Sequence, residues 1–121
     1  MNSILATYFS PESGMGHLSR MKLLSLDLER ANRLEVLYIN CEDHFSLSIA
    51  RDYFGSLIKN IEFYIEGEKR LSIKSHIVII DSLKAPKINS LDLSKKIRVS
   101  LSPLYELNDN IDGTIKNEMI T

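Results

Sequence analysis

A doubly wound α/β domain with a mostly parallel sheet, in three layers, is the fold this sequence predicts, on three observations. Short apolar runs rich in β-branched and aromatic residues alternate with longer stretches of helical periodicity. One run, Ile77-Val78-Ile79-Ile80, is continuously apolar, the pattern of a central parallel strand buried on both faces. The first strand leads through a loop with two glycines directly into a helical pattern, which is how a βαβ unit begins.

Each element has a local reason. Residues 4–9 (Ile-Leu-Ala-Thr-Tyr-Phe) read as a buried strand. Leu18, Met21, Leu24, Leu28 and Ala31 recur at three- and four-residue spacing and mark one face of an amphipathic helix. A short turn at Asn32-Arg33 precedes a second strand over 35–40. Phe45, Ile49, Tyr53 and Phe54 then outline a second helix, ended by Gly55 as its C-terminal cap. Residues 61–65 alternate as a third strand near a sheet edge, and the chain turns at 66–69. Residues 70–74 fit a short strand or a helical turn equally. The apolar strand spans 76–81, a weak helix 87–96, a further strand 97–102 ended by Pro103, and a last strand interrupted by Gly113 lies over 111–117. Alternating strands and helices imply parallel units, hence a Rossmann-like sheet with ligands at the carboxyl ends of its strands.

Bulk properties narrow the function classes. A chain of 121 residues makes one domain, with 44% hydrophobic and 26% charged residues as in an ordinary globular protein. Fifteen basic against 16 acidic residues leave a net charge of −1, so there is no electrostatic footprint for nucleic acid or an anionic membrane. The single Cys41 excludes an internal disulfide and suits a reducing cytoplasm; its position after a strand reads as packing. No apolar stretch is long enough for a transmembrane helix, and no signal peptide is evident, so a cytoplasmic location is expected.

The sequence concentrates its chemistry at residues 10–17, Ser-Pro-Glu-Ser-Gly-Met-Gly-His. Glycine permits positive φ and close approach of a ligand to the backbone, and the following helix N-terminus offers unpaired N–H donors to a phosphate or a sugar hydroxyl. The same glycines would equally serve a plain strand-to-helix turn with His17 capping. A P-loop is excluded, because no Lys-Ser/Thr pair follows the second glycine. The dinucleotide fingerprint is met only as Gly14-x-Gly16-x-x-Ser19, with Glu42 or Asp43 as the acidic ribose partner.

Gly14-Met15-Gly16-His17-Leu18-Ser19-Arg20, directly after a first strand, resembles the G-x-G-H-x-x-R loop of GT-B-type sugar-nucleotide enzymes. These include the UDP-sugar hydrolases of pseudaminic acid synthesis and related glycosyltransferases. The resemblance covers residues 4–31 at the level of a motif, and further along it rests on strand order and the strand ending at Asp81. It implies that Gly14, Met15 and Gly16 let the backbone approach a nucleotide-sugar or sugar acceptor, and that His17 activates the attacking water or hydroxyl. It also implies a two-domain enzyme in which this chain is the acceptor-side half, the nucleotide-binding half being a further domain or a partner chain. No metal and no organic cofactor enters this reading. A non-catalytic Rossmann-like module that binds a nucleotide or sugar, or assembles with a partner, is the alternative.

Around His17 other residues carry two readings each. Arg20, one turn into the helix, could reach a phosphate or sit on the exposed face. Glu12 could bind sugar hydroxyls or titrate beside His17, or be a solvated loop acid. Asp81 could orient a substrate hydroxyl or the imidazole, or begin a turn. His44 and His76 read as structural. Topology places residues 10–17, Asp81 and Ser102 on one rim. Met15, Leu83, Leu104 and Tyr105 add apolar surface there, so self-association through this face is expected.

Overall fold

The computed structural model describes residues 2–68 and 77–81, together with the backbone of 97–100 and 113–114. Its strands are β1 (Ser3–Phe9), β2 (Leu34–Cys41), β3 (Ile61–Ile65), β4 (Ile77–Asp81), β5 (Ile97–Ser100) and β6 (Gly113–Thr114), with helices α1 (Gly16–Arg30) and α2 (His44–Phe54). The sheet runs β3-β2-β1-β4-β5-β6 and every neighbouring pair is parallel. This is a Rossmann-like α/β sheet. The order reverses between β1 and β4, which makes the carboxyl ends of these two strands the switch point where ligands of such sheets bind.

Strand alternation divides the core. Leu5 and Phe9 of β1 and Leu37, Ile39 and Cys41 of β2 face α1 and α2, where they pack with Leu18, Met21, Ala50, Phe54 and Ile58. Ile4, Ala6, Val78 and Ile80 point to the other side and are buried as well. Both faces of the central strands are thus withdrawn from water, which accounts for the near-continuous apolar sequence of β4. Each large aliphatic or aromatic side chain so buried contributes roughly 1.5–3 kcal/mol relative to exposure.

The helix faces differ from the periodicity. In α1 the fully buried residues are Leu18, Met21 and Ser25, with Leu24 and Leu28 only partly covered and Ala31 exposed just past the helix. Ser25 tolerates burial because its hydroxyl donates to the Met21 carbonyl at 2.5 Å and the Lys22 carbonyl at 3.1 Å. In α2 the buried stripe is Ser46, Ala50 and Phe54, whereas Phe45 is 66% exposed. The phase is set by Asp43, whose carboxylate accepts from Ser46 N and Ser46 Oγ, both at 2.8 Å, and so fixes the first turn. Small residues then face the sheet and let the helix approach it closely.

Both helix ends follow local chemistry. After α1, Asn32 takes φ 58° and donates to Glu29 O, while Arg33 donates to Leu28 O, the double bond of a Schellman turn. Gly55 closes α2 with φ 55° and an N–H bond to Arg51 O. β3 is the edge strand, as its weaker alternation predicts. Residues 77–81 and 97–100 of the strands expected over 76–81 and 97–102 form β4 and β5, the remaining positions lying outside the described residues. Of the strand expected over 111–117, Gly113 and Thr114 are described and form β6, and the rest lies outside the described residues. Residues 70–74, His76, the helix expected over 87–96, Ser102, Leu83, Leu104 and Tyr105 lie outside the described residues.

Candidate functional site

The loop from β1 to α1 is built in three steps. Ser10 caps a 3₁₀ turn (Pro11–Ser13): its hydroxyl accepts from Ser13 N at 3.2 Å, and the Ser13 hydroxyl accepts from Ser10 N at 3.1 Å. Gly14 then reverses the chain with φ 74° and ψ −175°, a conformation that a side chain disfavours. Met15 is the N-cap of α1 and makes no side-chain cap bond. His17 is therefore the second residue of the helix, inside it and not capping it.

Only one of the two glycines has the positive φ expected of this loop. Gly16 is helical, and a Cβ there would meet nothing closer than Arg20 Nη1 at 3.8 Å, an ordinary contact. The first turn of α1 contains no acidic residue and no side-chain cap, so its amide donors face the loop without a competing acceptor from that turn.

His17 and Asp81, 64 positions apart, meet at the reversal of strand order. The His17 Nδ1 to Asp81 Oδ1 distance is 2.5 Å. Arg20, one turn further along α1, donates through Nε to Asp81 Oδ2 at 2.6 Å and through Nη2 to Oδ1 at 3.1 Å. Asp81 is fully buried, His17 is 8% exposed, and the Arg20 side chain remains 41% exposed. Burial pushes the Asp81 carboxyl up, but the hydrogen bonds from His17 and Arg20 outweigh it and hold the group below the usual carboxylate range. The Arg20 guanidinium is held above its ordinary value chiefly by its hydrogen bond to Asp81.

The tautomer follows from this chemistry. Arg20 only donates and ionised Asp81 only accepts, so Nδ1 carries the proton that bonds Oδ1. Arg20 Nη2 lies 3.0 Å from Nδ1, alongside a bond that both donors make to the same oxygen. In the neutral imidazole Nε2 then carries the lone pair, and it makes no hydrogen bond among the described residues. A base oriented by a buried carboxylate, beside a helix N-terminus at the carboxyl edge of a parallel sheet, can accept a proton from water or a hydroxyl placed over the loop.

Behind the carboxylate, the Thr7 hydroxyl of β1 donates to the Asp81 carbonyl at 2.5 Å, in register with the Thr7–Asp81 pairing. Sequence reasoning missed Thr7. Its one signal is a hydroxyl at a core-facing position of a strand two residues from its end.

Of the other candidates, Glu12 is exposed in the 3₁₀ turn, and the carboxylate beside His17 is that of Asp81. Arg20 is engaged by Asp81 through Nε and Nη2, while its side chain stays 41% exposed. Met15 is 38% exposed on the rim and Ser102 falls outside the described residues. His44 opens α2 at the surface. Cys41 packs in the core, where burial pushes its thiol up to about 12, well away from nucleophilic use at neutral pH. Among the described residues no group of three or more His, Cys, Asp or Glu is placed to hold a metal ion, and no helix is long and apolar enough to cross a membrane.

The all-parallel sheet order with its flanking helices defines the class of fold as Rossmann-like α/β. Comparison with known protein families, with curated proteins and with solved structures finds no match.

Proposed function

We propose that this chain is the acceptor-side half of a GT-B-type sugar-nucleotide enzyme, acting in glycosyl transfer or nucleotide-sugar hydrolysis. The observation that carries the reading is the 2.5 Å contact between His17 Nδ1 and buried Asp81, which turns Nε2 toward use as a base beside the G-x-G-H loop. In this reading Asp81 orients the imidazole and Arg20 keeps Asp81 ionised. Gly14 and the uncapped first turn of α1 receive the sugar-nucleotide or its acceptor. The nucleotide-binding half is supplied by a further domain or a partner chain.

The bidentate Arg20–Asp81 pair favours a second reading, a non-catalytic module in which the same contacts merely latch α1 onto β4. Turnover separates the two. With the nucleotide-binding half supplied, UDP-sugar turnover should appear, and His17→Ala should lower it by roughly 10²–10⁴, the usual worth of general-base catalysis. Ligand binding without turnover, or turnover indifferent to His17→Ala, assigns the chain to the module class.

A further inference from the structure

We infer that Thr7 is a positioning residue for the His17–Asp81 pair: its hydroxyl, by holding the Asp81 backbone, sets the carboxylate that orients the imidazole. The inference rests on His17 being the base and adds the element that places its partner.

Thr7 is 2% exposed and lies on the face of β1 that carries Leu5 and Phe9 toward α1. Among the described residues, the pairing of β1 with β4 runs to Thr7–Asp81. Asp81 is thus the last residue of β4 and pairs with Thr7 at the end of the β1–β4 ladder. At this point the Thr7 hydroxyl donates to the Asp81 carbonyl, adding a side-chain tie to the residue that carries the carboxylate. Valine has the same branching and a similar volume, so neither strand formation nor packing requires the hydroxyl. The geometry it protects is narrow. A displacement of about 1 Å at Asp81 would carry the Nδ1–Oδ1 contact beyond the range of a strong hydrogen bond.

The test is nitrogen-15 histidine NMR on the full chain, with thermal unfolding alongside. The wild-type His17 should show one tautomer, protonated on Nδ1, with that proton protected from exchange. Thr7→Val should leave the fold intact while speeding that exchange by roughly tenfold, the most a single neutral hydrogen bond sustains. Thr7→Ser, which keeps the donor, should restore protection. In an Asp81→Asn background Thr7→Val should add nothing, because the two act through one contact. Should Thr7→Val fail to fold, Thr7→Cys, with its weak donor, takes its place under the same expectation. The inference is overturned if tautomer and exchange are unchanged, if Ser does not restore them, or if the effect persists without Asp81. None of these signals needs turnover. Loss of the His17 rate effect with these signals intact would remove the enzymatic reading alone, and the reverse outcome would remove only the role of Thr7.

Discussion

Replacing Asp81 by Asn keeps the volume of a fully buried side chain and removes the charge that three donors share. The amide presents one oxygen and one NH₂ where the carboxylate presented two acceptors. Whichever way it turns, one of the donors, His17 Nδ1–H or Arg20 Nε–H, faces another donor. A hydrogen bond to a charged group contributes about 1.5–3 kcal/mol, and much of the one from His17 should be lost because both partners are buried. Arg20 weighs less. Its side chain is 41% exposed and regains water, so its share is discounted to about 0.5–1 kcal/mol. The expected total is about 2–3 kcal/mol, read as a loss in urea unfolding free energy at neutral pH. The pH dependence supplies the sign. A carboxylate whose folded pKa is depressed stabilises the fold fully above its unfolded value, near 3.9, and loses that contribution as pH falls through the folded value. The gap between wild type and Asp81→Asn should therefore narrow as the pH falls below the unfolded carboxyl value and through the folded one. Equal stability of the two proteins at pH 7, or a gap that fails to narrow below about pH 4, would refute the ionised buried carboxylate at the centre of the site.

The two loop glycines should separate cleanly on substitution. Gly14→Ala, at φ 74°, should cost roughly 1–3 kcal/mol, whereas Gly16→Ala, in helical conformation with room for a Cβ, should change stability by less than about 0.5 kcal/mol. Thermal unfolding of both variants decides it, and equal losses would mean that the loop conformation is misassigned. On the other side of the sheet the Asn40 side-chain oxygen is buried and has no hydrogen-bond partner among the described residues. Asn40→Leu, close in volume, should raise stability by about 1 kcal/mol by removing it; a loss in chemical denaturation would show that the amide is satisfied by a bound water.

Most elements were legible because the signals that make them are local. The run 61–65 becomes β3 without change of boundary, Gly55 ends α2, and Asn32 turns the chain after α1, each through backbone chemistry carried within a few residues. The helix faces were less legible. Large side chains dominate a periodicity, yet Ser25, Ser46 and Ala50 face the sheet because close packing selects small residues there, and Phe45 is left in water. The glycines show the same limit. Spacing marks Gly14 and Gly16 alike, but only the path of the chain through the 3₁₀ turn tells which one needs positive φ.

The residues of the candidate site divide along the same line. Sequence alone placed His17 at the start of a helix after a strand, and Asp81 at the end of the most apolar strand, since both positions follow from hydrophobic pattern and turn chemistry. It also placed them on one rim, since parallel strands share a carboxyl edge. What it left open was which carboxylate meets the imidazole, Glu12 five residues away or Asp81 sixty-four away, and whether Arg20 is free. Those answers depend on β4 pairing beside β1 with Thr7 opposite Asp81, a register set by the burial of both faces of the two strands at once. No window along the chain contains that pairing. Only the folded sheet brings the carboxylate, the imidazole, the guanidinium and the Thr7 hydroxyl together at one end of two strands.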